Sequence, residues 1–181
     1  MTISESSITL DFPDSNYFRF QDCQGYKSLD NLKEMDACWY ETSTDTLYLI
    51  ELKDWGNANI DEENNPSISR DEIDEIKTGI TKHRLFELWK KSVDSTSMFL
   101  SVLLDTPYSL QIKACVPFSI SKKTNIKILS IINWTDTDIS YLSNIHAEYK
   151  SKFKPFAKLF NIKAYVVMSK YQATQQYDWI K

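Results

Sequence analysis

Residues 35–55 read MDACWYETSTDTLYLIELKDW, and the way this stretch folds decides the reading of everything around it. The polar run Thr42-Ser43-Thr44-Asp45 separates two strand-like pieces, roughly 36–41 and 46–53, which is a hairpin pattern. In a strand, residues two apart share a face, so Glu51 and Lys53 project side by side, roughly 6–7 Å apart along the chain, while Leu52 turns into the core. The start of one antiparallel strand lies opposite the end of the next, so a turn at 42–45 brings Asp36 beside Glu51. Two carboxylates and an ammonium then converge on one spot. Either they are ion pairs at a surface strand end, worth little energetically, or they form a metal- and proton-handling centre.

The chemistry favours the second reading. Two carboxylates are what Mg²⁺ takes: hard oxygen ligands, few from protein, with water and substrate phosphate completing the shell. Such an ion lowers the pKa of bound water and steadies charge on a phosphoryl oxygen. A neighbouring lysine can orient or deprotonate that water and stabilise the developing charge. The Glu-x-Lys triplet alone is a poor signal, since it recurs at Glu75-Ile76-Lys77 and Glu148-Tyr149-Lys150. Those copies fall on expected helices, where they read as solvated charge.

Working outward, 8–12 and 17–21 read as short strands around the turn Pro13-Asp14-Ser15-Asn16, and 26–34 as a short helix or an irregular crossing. The polar run 56–69 reads as a loop. Ser69-Arg70-Asp71-Glu72 is a capping box opening a helix with Ile73, Ile76 and Ile80 on one face, continuing past a break near 92–95 to about Leu104. Residues 109–119 alternate as a strand, and 125–134 are apolar enough for a strand covered on both faces. Thr135-Asp136-Thr137-Asp138 offers N-cap chemistry to a second helix carrying Ile139, Leu142, Ile145, Tyr149, Phe153 and Phe156, which Pro155 kinks or ends. Residues 164–168 make a last core strand. The fold class is α/β, a sandwich with a mixed central sheet flanked by helices, in one domain spanning 1–181.

Composition limits the function classes. At 181 residues, 42% hydrophobic and 13% aromatic, the chain suits a single globular domain. The net charge of -4 hides a division: residues 1–76 hold 5 Lys+Arg against 18 Asp+Glu, and 77–181 hold 16 against 7. A local basic field of that kind permits a nucleic-acid partner. Three glycines exclude a phosphate-cradling glycine loop, and no C-x-x-C pair or zinc-binding histidine motif exists. His83 and His146 read as solvent-facing or packed. No apolar stretch is long enough to span a bilayer, and Cys23, Cys38 and Cys115, odd in number and widely spaced, fit a reducing compartment better than a disulfide frame. A soluble, cytoplasmic protein is expected.

Asp36, fourteen intervening residues, then Glu51-Leu52-Lys53 at the end of an apolar strand resembles the PD-(D/E)XK nuclease superfamily. The resemblance implies a restriction-endonuclease-like αβββαβ core, Asp36 and Glu51 as ligands of Mg²⁺ or Mn²⁺, and Lys53 as the catalytic lysine. Met35 stands where the family name has proline. Glu34 is the candidate for the acidic residue that the first helix often supplies. The implied activity is metal-dependent endonuclease hydrolysis of DNA or RNA, with Lys82, Arg84, Lys90 and Lys91 as candidate phosphate contacts and Trp39 and Trp55 as base-stacking or core residues. Two other functions remain open: a non-catalytic subunit of the same fold in a nucleic-acid or defence assembly, as a homodimer or with a partner protein, and an acidic immunity or antitoxin-like protein covering a basic partner.

Overall fold

The computed structural model describes residues 2–27, 29, 31–55, 69–134 and 140–181. Along the chain run β1 (Thr2–Glu5), β2 (Ile8–Asp11), β3 (Tyr17–Phe18), α1 (Gln24–Lys27), β4 (Ala37–Glu41), β5 (Thr46–Asp54), α2 (Arg70–Leu103), α3 (Ser109–Lys113), β6 (Asn125–Asn133), α4 (Ser140–Leu159), β7 (Ile162–Ser169) and α5 (Lys170–Gln176). The expected loop over 56–69 and the expected cap at 135–138 lie outside the described residues, save Ser69.

A five-stranded mixed sheet, ordered β3-β4-β5-β6-β7, forms the centre. The first three strands are an antiparallel meander, while β5, β6 and β7 run parallel. Parallel neighbours need crossover connections, and α2 and α4 supply them. Alternation then sorts the side chains: Leu47 and Leu49 of β5 and Ile126, Ile128 and Ile132 of β6 meet Leu85, Leu88 and Tyr149 from the helices. Their alternates, Tyr48, Ile50, Leu52, Leu129 and Ile131, meet Ile3, Ile8, Leu10 and Phe12 from the β1–β2 hairpin. Strand β6 is thus covered on both faces, as its apolar run predicts.

The start of the chain corrects the expected pairing. Residues 8–11 and 17–18 do not pair with each other. Instead β2 turns back on β1 through Ser6 and Ser7, both at positive φ (53° and 61°), the twist that a two-residue hairpin turn requires. The last residues join this small sheet, with Thr9 and Lys181 exchanging backbone hydrogen bonds (3.0 and 2.8 Å) and Trp179 and Ile180 buried beneath it.

Helix α2 opens with the anticipated capping box, Ser69 and Glu72 bonding reciprocally. It runs unbroken through 34 residues, about 50 Å at the usual rise. The serines expected to break it instead dock it. Ser92 Oγ donates to the Leu88 carbonyl (2.7 Å) and meets the Tyr149 hydroxyl (2.7 Å), and Ser95 Oγ accepts the Met35 N–H (2.8 Å). Only Ile73 of the expected apolar face is buried, and Ile76 is exposed. Pro155 lies inside α4 without ending it.

Residues 109–119 are corrected from strand to the short helix α3 followed by irregular chain. Helix α1 packs against α3 at Gly25, where an added Cβ would stand 2.6 Å from the Gln111 backbone. That close approach joins Cys23 to Cys115 in a disulfide, with Cα atoms 5.7 Å apart across a sequence separation of 92. The reading of three unpaired thiols is therefore corrected for Cys23 and Cys115. Cys38 stays free and buried. No helix among the described residues is long and apolar enough to cross a membrane.

Candidate functional site

The β4–β5 register pairs Ala37 with Ile50, so Asp36, one residue earlier, falls opposite Glu51. Asp36 is anchored twice: its Oδ2 accepts the Leu52 N–H at 2.7 Å, and its carbonyl accepts Arg19 Nε at 3.0 Å. Its other oxygen, Oδ1, is left for the site. Glu51 is fully buried near the end of β5, on a strand face that carries Leu47 and Leu49 before it and Lys53 after it. Lys53 lies two residues on, its Nζ 2.9 Å from Glu51 Oε1 and its side chain one-third exposed. Asp36, Glu51 and Lys53 therefore stand together, as the alternation argument requires.

A fourth charge completes the group. Lys91, from the middle of α2, places Nζ 3.2 Å from Asp36 Oδ1, 2.7 Å from Glu51 Oε1 and 2.9 Å from Glu51 Oε2. Burial, then the adjacent Asp36 carboxylate, push the Glu51 carboxyl up to about 7, while Lys91 and Lys53 pull it back. Burial alone would depress Lys91, but the carboxylates of Glu51 and Asp36 outweigh it and hold the ammonium above its usual range. In register beside Glu51 on β6 sits Ser130, fully buried, its hydroxyl without a partner among the described residues.

Lys91 is the residue whose carboxylate partners sequence reasoning missed. As a phosphate contact it would face outward, whereas it turns inward onto two carboxylates. The signal was present: buried positions 85, 88, 92, 95 and 99 trace one helical stripe, and 91, three residues after Leu88, lies on its border. Of its companions, Lys90 pairs with Asp94 at 2.7 Å. The Arg84 guanidinium lies over Trp55 (4.9 Å) and Tyr141 (5.7 Å) and donates to the Trp55 carbonyl and the Tyr141 hydroxyl. Lys82 is exposed.

The remaining candidates resolve similarly. Glu34 accepts a hydrogen bond from the Tyr26 hydroxyl, which, after burial, raises that phenol above its usual range. Trp39 is 2% exposed on the opposite face of the sheet, and Trp55 is buried under Arg84. His83 is exposed, and His146 Nδ1 accepts the Val167 N–H at 3.1 Å.

Among the described residues no group of three or more His, Cys, Asp or Glu gathers where it could hold a metal. Two adjacent carboxylates are nevertheless the donor type and number that Mg²⁺ takes from proteins when water and phosphate fill the rest of its shell. The donor set fits the ion, and the ammonium between the carboxylates already marks a cation position. No family model, curated protein or solved structure matches this chain.

Proposed function

We propose that the chain is a metal-dependent nuclease of the PD-(D/E)XK type, hydrolysing phosphodiester bonds in DNA or RNA. The observation that carries this reading is the convergence of Asp36, Glu51 and Lys53 at the end of β5, with a cation already held between the carboxylates. A buried carboxylate in an apolar strand is costly to fold around, and a structural ion pair at that position stabilises less than a leucine would. The element order lends further support: an antiparallel meander, a helix, a parallel strand, a helix and a parallel strand. A restriction-endonuclease-like αβββαβ core shares the meander, the crossover helix and the parallel strand that follows it, although among the described residues no helix precedes β3 and α1 falls between β3 and β4.

On this reading Asp36 Oδ1 and the Glu51 carboxylate hold Mg²⁺ or Mn²⁺. When bound, the ion supplies a water of lowered pKa and neutralises charge on a phosphoryl oxygen. Lys53 Nζ, tethered to Glu51 Oε1 yet reaching solvent, orients the attacking water and donates to the oxygen on which charge builds. Asp36 is held for this work by the Leu52 N–H on Oδ2, so Oδ1, which Lys91 contacts, keeps one direction. The basic second half of the chain supplies the field that draws the nucleic-acid backbone.

The test is cleavage of plasmid, single-stranded DNA and RNA with Mg²⁺ or Mn²⁺, wild type beside Asp36→Ala. Metal-dependent cutting that vanishes in the variant is expected, and the substrate that is cut names the class. A second reading draws on the same geometry. Asp36, Glu51, Lys53 and Lys91 neutralise one another, so the cluster is also complete as a rigid element of a non-catalytic subunit. Salt-sensitive nucleic-acid binding without cleavage or metal uptake would select that reading.

A further inference from the structure

The four charges of the site pose a problem that the nuclease reading must answer. Two carboxylates and two ammonium groups sum to zero within one buried cluster. A divalent ion entering with both lysines in place would leave two surplus positive charges there. Like charges held that close in buried surroundings repel far more strongly than they do in water. One ammonium therefore has to leave as the ion arrives.

Geometry decides which one. Lys53 touches a single oxygen, Glu51 Oε1, from the open side, and its side chain is 32% exposed. Lys91 spans the gap itself: Nζ contacts both oxygens of Glu51 and Oδ1 of Asp36, and its side chain is only 12% exposed. That is the gap in which a cation would be shared by the two carboxylates. The elements around it leave Lys91 as the movable piece. Asp36 is pinned by the Leu52 N–H and through its carbonyl by Arg19, and Glu51 is locked inside a central strand. Lys91 reaches the gap on a flexible four-carbon stem.

We propose that Lys91 is the resident cation of this site, occupying the gap between Asp36 and Glu51, and that a divalent ion binds there only by displacing it. The proposal rests on the nuclease reading above and adds how that site is kept closed. Each carboxylate stays paired while no ion is bound, which avoids an uncompensated buried charge. The cost is a low metal affinity for the free protein, because the entering ion must exchange for an ammonium that is already well placed. A displaced Lys91 needs a new counter-charge at the mouth of the site, and the anionic oxygens of a phosphodiester supply one. Metal and nucleic acid then bind cooperatively, each raising the affinity for the other by the same factor.

The experiment is Mn²⁺ binding followed by the electron paramagnetic resonance signal of the free ion, on wild type, Lys91→Met, Lys91→Gln and Lys91→Met/Asp36→Ala. Circular dichroism and thermal melting accompany each protein. Lys91→Met removes the charge and leaves the Lys53–Glu51 and Leu52–Asp36 contacts in place. Lys91→Gln keeps a polar group in the gap should the methionine variant fold poorly. The expected result is at least tenfold tighter Mn²⁺ binding in the neutral variants than in wild type, lost again when Asp36 is removed. Equal or weaker Mn²⁺ binding in folded Lys91 variants, with binding still abolished by Asp36→Ala, would overturn the displacement proposal and leave the nuclease reading standing. No Mn²⁺ uptake by any folded variant would overturn both.

Discussion

On the face of the central sheet turned away from the long helix, Trp39 packs against Phe12, Tyr48 and Trp179, with ring centroids 5.2–5.4 Å apart. On the face turned toward that helix, the same strands carry Leu47 and Leu49 and then Glu51, Ser130 and Lys53. Both faces are dry over most of their area, and both obey the same two-residue alternation. They differ in what the burial gives. The aromatic side returns stability in proportion to apolar area. The charged end costs desolvation that its ion pairs repay only in part. A fold would lose little by replacing that end with leucines, so the charges point to work other than folding.

This contrast is open to attack from both sides. On the charged face, Lys53→Ala should lower metal-dependent cleavage by on the order of a thousandfold and leave the melting temperature within a few degrees of wild type. Its side chain is one-third exposed, and among the described residues its ion pair is with Glu51. Cleavage retained in a cleanly purified variant would remove Lys53 from the reaction. On the aromatic face the signs reverse. Trp39→Ala should cost about 3–5 kcal/mol in denaturant unfolding, because a ring 2% exposed leaves three aromatic neighbours facing a void. Mn²⁺ affinity should not change. A Trp39 variant that loses metal binding while still folded would mean that the two faces are coupled through β5.

A smaller effect separates the ion cluster from the pH response of the fold. Burial, then the nearby Lys150, hold the His146 imidazole below its ordinary pKa of 6.5, and its Nδ1 accepts the Val167 N–H on the free edge of β7. Folded protein thus refuses a proton that the unfolded chain accepts. The sign is a stability present above the imidazole's ordinary pKa and lost as pH falls below it. The urea midpoint of wild type should drop more between pH 7.5 and 5 than that of His146→Asn, whose amide oxygen can take the place of Nδ1. Equal slopes would assign the acid sensitivity to other groups.

How far the sequence could be read differs by element. The β4–β5 hairpin, its register and the meeting of Asp36, Glu51 and Lys53 were all legible, because alternation and a short turn are local and leave one pairing that buries the apolar face. The capping box at Ser69 was legible for the same reason. Residues 109–119 were misread, since five residues of weak alternation suit a strand or one turn of helix equally until Gly25 and the Cys23–Cys115 bond set what packs there. The serines at 92 and 95 look like a break in one dimension and are docking points in three. The closure of the β1–β2 hairpin by the last residues joins ends of the chain more than 160 positions apart, which no local pattern reports.

What the sequence determined by itself was therefore one hairpin with its register and one charged strand end: alternation, caps and turns act over a few residues and follow from covalent geometry. What only the tertiary structure decided was the company that end keeps. Lys91 sits forty residues from Glu51, on a helix that also carries Lys77, Lys82 and Lys90. Its place beside the buried stripe of α2 marks it as near the core, but its partners appear only when α2 is laid across the sheet. Packing then leaves one ammonium within reach of two buried carboxylates, and their need for a counter-charge draws it inward.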